Sequence, residues 1–241
     1  MIMSRPISIA RRELISYFAT PVGYVVISLY LVISGVLFSL TALANAQPAS
    51  MRSFFEVSVF LLLFIAPAIS MRLVSEELRS GTLESLMTCP VMDWQVVFGK
   101  WLAAMTFFIA MLWPTILYVL ILEIYANPDY GPIFCGYLGL IFVGALYLSA
   151  GLLASTFCSS QILSYLIALF FWLFYWGFTS MLPQYIGGRT ADYLFWLNIN
   201  SRFSNDFAKG VIDTSTMVYF ASGTVLFLIA AVKVLESRRW R

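Results

Sequence analysis

Apolar residues run through this chain in long blocks separated by short polar punctuation, and six of the blocks can cross a bilayer. A spanning helix needs about 20 mostly apolar residues. Residues 22–43, 54–73, 101–122, 133–157, 162–182 and 217–232 meet that need, the last being the shortest, and none has an ionisable side chain in its middle. The fourth and fifth blocks nearly merge, but together they are far too long for one crossing, and Ser159, Ser160 and Gln161 supply the turn. The pattern predicts an all-α integral membrane protein of about six transmembrane helices, a single membrane domain over residues 1–241.

Two further segments have a helical pattern without being spans. Over residues 4–20, Ile7, Ala10, Leu14 and Phe18 recur at helical spacing, with Ser8, Arg12 and Ser16 on another face. Pro6 suits a first turn, and Pro21 stops this helix or bends it into the first span. With Arg5, Arg11 and Arg12, residues 1–21 read as a basic amphipathic helix lying flat at the lipid boundary. It serves either as an anchor or as a lever passing force to the first span. The block that follows exceeds the roughly 7–15 residues of a signal-peptide core, so it reads as an uncleaved helix despite the small residues near Ala44 and Ala46. The segment 183–215 is long but crowded with Tyr193, Phe195, Trp196, Phe203 and Phe207. Such aromatic segments settle at the interface or dip back into the protein; short helices are expected, with Gly187-Gly188 as the turn.

Composition removes most catalytic chemistry. Only 11% of residues are charged against 61% hydrophobic, and histidine is absent. Imidazole-dependent triads, dyads and metal sites are therefore excluded, and no catalytic, metal-binding or cofactor-binding residue is expected. Cys89, Cys135 and Cys158 show no paired spacing and read as small apolar residues. No basic run suggests nucleic acid as a partner; the expected non-protein partner is membrane lipid.

Charge placement sets an orientation. With the N-terminus inside, ten of the fourteen Lys and Arg residues fall on inside segments and four (Arg52, Arg189, Arg202, Lys209) outside. The positive-inside rule then puts both termini in the cytoplasm.

The connection between the second and third spans, 74–92, is the most informative stretch. Gly81 is expected to break a helix extending from the second span, and Thr82 to cap a short helix whose apolar face is Leu83, Leu86 and Met87. Pro90 ends that piece and Asp93 caps the next helix, which carries Lys100 toward the membrane. The run Glu76-Glu77-Leu78-Arg79-Ser80-Gly81-Thr82-Leu83-Glu84, followed by Pro90 and Gly99-Lys100, resembles the signature region of ABC-2 type transporter permeases. Ser16 to Pro21, Pro67 to Met71 and Lys209 to Thr214 extend the likeness along nearly the whole chain. The branch it most resembles is the gliding-motility-associated permease group. The resemblance implies that this loop forms a coupling helix seated in a groove of a separate ATP-hydrolysing subunit, with Glu76, Glu77, Arg79, Gly81, Thr82 and Glu84 in that contact or its support. It also implies pairing with a second permease, the same chain or a related one, and a partner with a large extracytoplasmic domain, in a bacterial inner membrane.

The leading function is thus the permease half of an ABC transporter. The chain is not expected to be an enzyme, because Gly99-Lys100 is followed by Trp101 rather than Ser or Thr and no GxxxxGK[ST] phosphate loop exists. An ion-coupled carrier would place acids or lysines within its spans, and these spans lack them. Glu76-Glu77 followed by Arg79 has a faint likeness to intramembrane CAAX-type proteases, but the arginine is one residue too close and the histidines are missing. A non-transporting scaffold of an envelope or motility complex stays open as the alternative. The orientation is checked by labelling engineered cysteines in intact cells. Those replacing Asp192 or Asp213 should react from outside and those replacing Ser80 or Ser237 only after the cells are opened; the reverse pattern overturns it.

Overall fold

The computed structural model describes residues 4–40, 50–82, 92–125, 128–186 and 188–239. Among them no strand occurs, and six helical stretches are long and apolar enough to cross a membrane, as the hydropathy pattern predicts. With no water in hydrocarbon to pair a backbone N–H or C=O, a spanning chain has to satisfy them within helices.

Helix α1 (Ser4–Ala19) is the amphipathic segment. One residue, Thr20, separates it from α2 (Pro21–Phe38), the first span; the proline ring forces Thr20 into extended backbone at φ −98°, ψ 142°. Helix α3 (Arg52–Ser70) returns, and after a turn at residues 71–74 the short α4 (Ser75–Ser80) ends at Gly81. Gly81 stops the helix as expected, with a left-handed φ of 71°. The third crossing is α5 (Asp93–Leu112), a 3-10 turn (Trp113–Thr115) and α6 (Ile116–Tyr125). Hydropathy does not see that break. It falls at Pro114, which lacks the N–H for an α-helical bond.

Helices α7 (Tyr130–Phe157) and α8 (Gln161–Ile186) meet at the expected Ser159-Ser160 turn. The aromatic segment forms α9 (Gly188–Leu197), α10 (Ile199–Asn205) and a 3-10 turn (Phe207–Lys209). Gly188 opens it with φ 69°, in line with the expected glycine turn; Gly187 lies outside the described residues. Helix α11 (Thr214–Arg239) is far longer than the apolar block that announced it. It continues past the last apolar residues as a charged helix, with Lys233 paired to Glu236 at 2.8 Å.

Helix α7 is the axis of the bundle. Its most apolar stretch is 78% buried, against 22% for α2, α8 and α11. Small residues make this possible, because helices in lipid associate through close backbone approach rather than a hydrophobic drive. A Cβ on Gly136 would meet the Phe55 ring, one on Gly139 the rings of Phe203 and Phe207, and one on Gly144 the Phe108 ring, all within 2.8 Å. At Gly151 it would lie 1.9 Å from Ser70 Oγ of α3.

Of the stripe Ala150, Gly151, Ala154 and Ser155, Gly151 therefore packs inside one subunit, against α3. Gly151→Leu should destabilise the detergent-purified protein by about 1–3 kcal/mol, the usual cost of overpacking. Gly177→Ala, which meets nothing within 4 Å inside a helix, should not lower the melting temperature. Equal melting of the Gly151→Leu variant and the parent protein would refute this packing.

Candidate functional site at the end of the bundle that carries α1

Helix α1 lies across the start of α5, and its backbone comes so close that a Cβ on Gly99 would sit 2.8 Å from the Pro6 carbonyl oxygen. Tyr17 stacks on Phe107 with ring centres 4.7 Å apart, and its hydroxyl donates to the Ile69 carbonyl at 2.6 Å. That carbonyl belongs to the last turn of α3, where helical donors run out. The Arg72 guanidinium lies over the Tyr17 ring, 4.0 Å from its centre, and donates to Thr20 Oγ1 at 3.0 Å.

Beneath α1 sits a charge cluster. Lys100 is 1% exposed. Its ammonium donates to Glu13 Oε1 of α1 at 3.1 Å, to Glu77 Oε1 of α4 at 2.9 Å, and to the Leu73 carbonyl in the turn after α3. Arg12 adds a second cation, reaching Glu13 at 3.0 Å and Glu77 at 2.9 Å from a more exposed position. Burial by itself raises the Glu13 pKa, but Lys100 and Arg12 outweigh it and hold this carboxyl below its ordinary value. Glu77 Oε2 and Arg72 Nη2 are buried without a hydrogen-bond partner among the described residues.

Of the residues singled out in the sequence, Glu77 and Arg12 enter this cluster. Glu76 and Arg79 are exposed on α4, and Gly81 and Thr82 are exposed at its end, where Ser80 Oγ and Thr82 Oγ1 lie 2.8 Å apart. Arg11 is exposed on α1; Arg5 falls in its first turn, and nothing is described of its side chain. Leu83, Glu84, Leu86 and Met87, with the proposed short helix, lie outside the described residues.

One expectation is corrected. Asp93 does not cap α5; it stands one residue inside, and Met92 takes the cap position. The Met92 N–H donates to Gln95 Oε1 at 3.2 Å, the reach-back half of a capping box, while Asp93 sits in the first turn where the helix dipole favours an anion. Sequence reasoning also missed Glu13 and Lys100 as a pair. Only the Gly99-Lys100 dipeptide hinted at them: the glycine lets α1 approach, and the lysine then has an acid to meet.

At the opposite end of the bundle, α9 folds back along α8. Asn198 Nδ2 donates to Ser180 Oγ at 2.7 Å, and Tyr175 and Tyr219 both donate to the Leu197 carbonyl, at 2.7 and 2.9 Å. Arg202, counted above as a loop charge, is 6% exposed. Its guanidinium lies 3.7 Å from the Trp196 ring centre and 4.4 Å from that of Tyr219, and its Nε donates to the Trp196 carbonyl at 2.6 Å.

Six apolar helices around a small-residue axis, with a buried charge cluster at one end, define a multi-pass all-α membrane protein. The family model described as ABC-2 family transporter protein matches residues 31–235. The chain belongs to this family and is a permease subunit of the ABC-transporter class. The match takes in Glu77, Lys100 and Arg202, whereas α1, with Arg12, Glu13 and Tyr17, precedes it. None of the curated proteins matches the chain.

The cluster makes the docking of α1 acid-sensitive. A carboxyl whose folded pKa is lowered contributes stability that is complete above its unfolded value, about 4.3 for glutamate, and is lost as pH falls through the lower folded value. Amide hydrogen exchange in α1, referenced to intrinsic rates, should be steady between about pH 6 and 8 and accelerate below about pH 4.3. Glu13→Gln should raise exchange at neutral pH and reduce its acid dependence; an acid response unchanged by that substitution would remove Glu13 from the cluster's titration.

Proposed function

We propose that this chain converts ATP hydrolysis on a separate subunit into movement of its spans, with α1, α4 and the 82–91 connection as the receiving surface. In this reading both termini are cytoplasmic, the membrane is a bacterial inner membrane, and two permease chains pair to complete the transporter. The chain carries no phosphate loop, so hydrolysis belongs to the partner.

The observation that carries the reading is the shared charge cluster. Residues 82–91 hang between two flanks, α4 with Glu77 and α5 with Lys100, and both flanks are bonded to Glu13 or Arg12 of α1. A push on the connection therefore reaches α1 through short charge-assisted contacts rather than through a slack loop. Helix α1 passes it to α2 across a single extended residue, Thr20, itself held by Arg72. The exposed Glu76, Arg79 and Thr82 stand at the edge where a partner would approach. Leu83, Leu86 and Met87 supply the apolar face that this reading seats in the partner's groove, with Glu84 on its rim.

The test is pull-down of the ATPase from detergent together with ATP hydrolysis by the assembled complex. A few buried side chains dominate such a contact, each costing roughly 1–4 kcal/mol on truncation, so Leu83→Asp with Leu86→Asp should weaken association by orders of magnitude. Glu84→Lys should do less and act through association rate and salt dependence. Neither alters a span, so insertion and helix content should persist. Normal binding and hydrolysis in the double variant would place the docking surface elsewhere. Failure of any ATPase to co-purify with the unaltered chain would favour the scaffold alternative.

A further inference from the structure

Two cavities lie end to end in the groove between α7, α8 and α11, one of about 270 Å³ and one of about 140 Å³. They share Phe171 and Phe227 as a common waist. The smaller is bounded by Ala150, Ala154, Phe157 and Ala168 and has no polar side chain in its lining. The larger runs past Leu146 and Trp172 to Tyr175, Tyr219 and Ser222. The walls are short of side-chain volume, with Ala150, Ala154 and Ala168 along the smaller cavity and Ser222 and Gly223 along the larger. Its mouth is lateral, since Phe171, Leu226 and Ser222 are exposed on the apolar flank of the bundle.

Three features identify the occupant. The lateral opening faces hydrocarbon, so whatever enters arrives from the bilayer. The polar side chains of the lining, Trp172, Tyr175, Tyr219 and Ser222, all belong to the larger cavity, and the smaller one offers no partner that a water molecule would need. From Leu146 to Phe157 the groove extends about 16 Å along α7 at 1.5 Å per residue, about half of a hydrocarbon core roughly 30 Å thick. A single-leaflet hydrocarbon tail with one polar end has that shape and that polarity. We propose that this groove is a binding site for one acyl chain of a membrane phospholipid, its ester end in the larger cavity and its tail running toward Phe157. The proposal does not rest on the transport reading and holds whether or not an ATPase is bound.

Trp172 provides the probe, because it lines the groove yet is only 3% exposed, out of reach of lipids that merely surround the bundle. The protein is reconstituted in phosphatidylcholine vesicles whose chains are plain or brominated at mid-chain. Trp172 emission is taken as the difference between the parent protein and Trp172→Phe. Brominated chains should quench that component severalfold. Ser222→Phe, which plugs the mouth from an exposed position, should restore most of it, whereas Val218→Phe, exposed on α11 away from the groove, should not. Quenching that is weak in the parent protein, or equal in the Ser222→Phe variant, overturns the proposal. Disulfide-linked dimers formed by Ser222→Cys in the same vesicles would also overturn it, by giving the groove to a second copy of the chain.

Discussion

An ammonium group taken out of water has to be paired, and the burial of Lys100 is the constraint on which the α1 end of the molecule depends. Its three partners come from α1, from α4 and from the turn that follows α3, so one side chain fixes the relative positions of four segments. Buried ion pairs of this kind often contribute little net stability, because desolvation offsets the attraction. What they impose is geometry: moving α1 away leaves a cation facing fewer anions in a poorly solvated place. Arg12 closes the cluster from the exposed side, so that two cations balance two carboxylates.

The opposite end solves a comparable problem with rings instead of acids. The Arg202 guanidinium lies against Trp196 and Tyr219, and its Nη1 reaches Thr216 Oγ1, which in turn bonds Asp206. Between the two ends, α7 holds the spans together without charge, through glycines that admit the rings of Phe55, Phe108, Phe203 and Phe207. The bundle is therefore polar and specific at its ends and closely packed in its middle. Beside Phe171 that close packing gives way to the groove.

Much of the fold was legible in the sequence for a physical reason. A membrane span must be a continuous apolar helix, and that requirement writes itself into the chain as blocks of a given length. The amphipathic character of α1 was equally visible, since period and proline placement are local. What stayed hidden was long-range. Glu13 and Lys100 lie 87 positions apart, and neither has a local signature of burial. Arg202 entered only as one of four outside charges, because nothing nearby in sequence reveals that Tyr219 will stand over it. Asp93 was misread for the opposite reason: a strong local capping preference yielded to the neighbouring Gln95. For the candidate site, Glu77 and Arg12 were recognised and their meeting was not.

The Arg202 corner also has a consequence for biogenesis. A chain inserted from its N-terminus presents α8, α9 and α10 to the bilayer before α11 exists. Until then the Leu197 carbonyl lacks the Tyr219 hydroxyl, and the guanidinium has the Trp196 ring but neither the Tyr219 ring nor Thr216. The fold-back along α8 then has the Asn198–Ser180 and Tyr175–Leu197 bonds but none of the contacts from α11, and it is completed only when that helix arrives. A nascent chain released before Thr214 would carry Arg202 at the edge of the membrane without the Tyr219 ring or Thr216, so this corner records in its own structure whether α11 has been made.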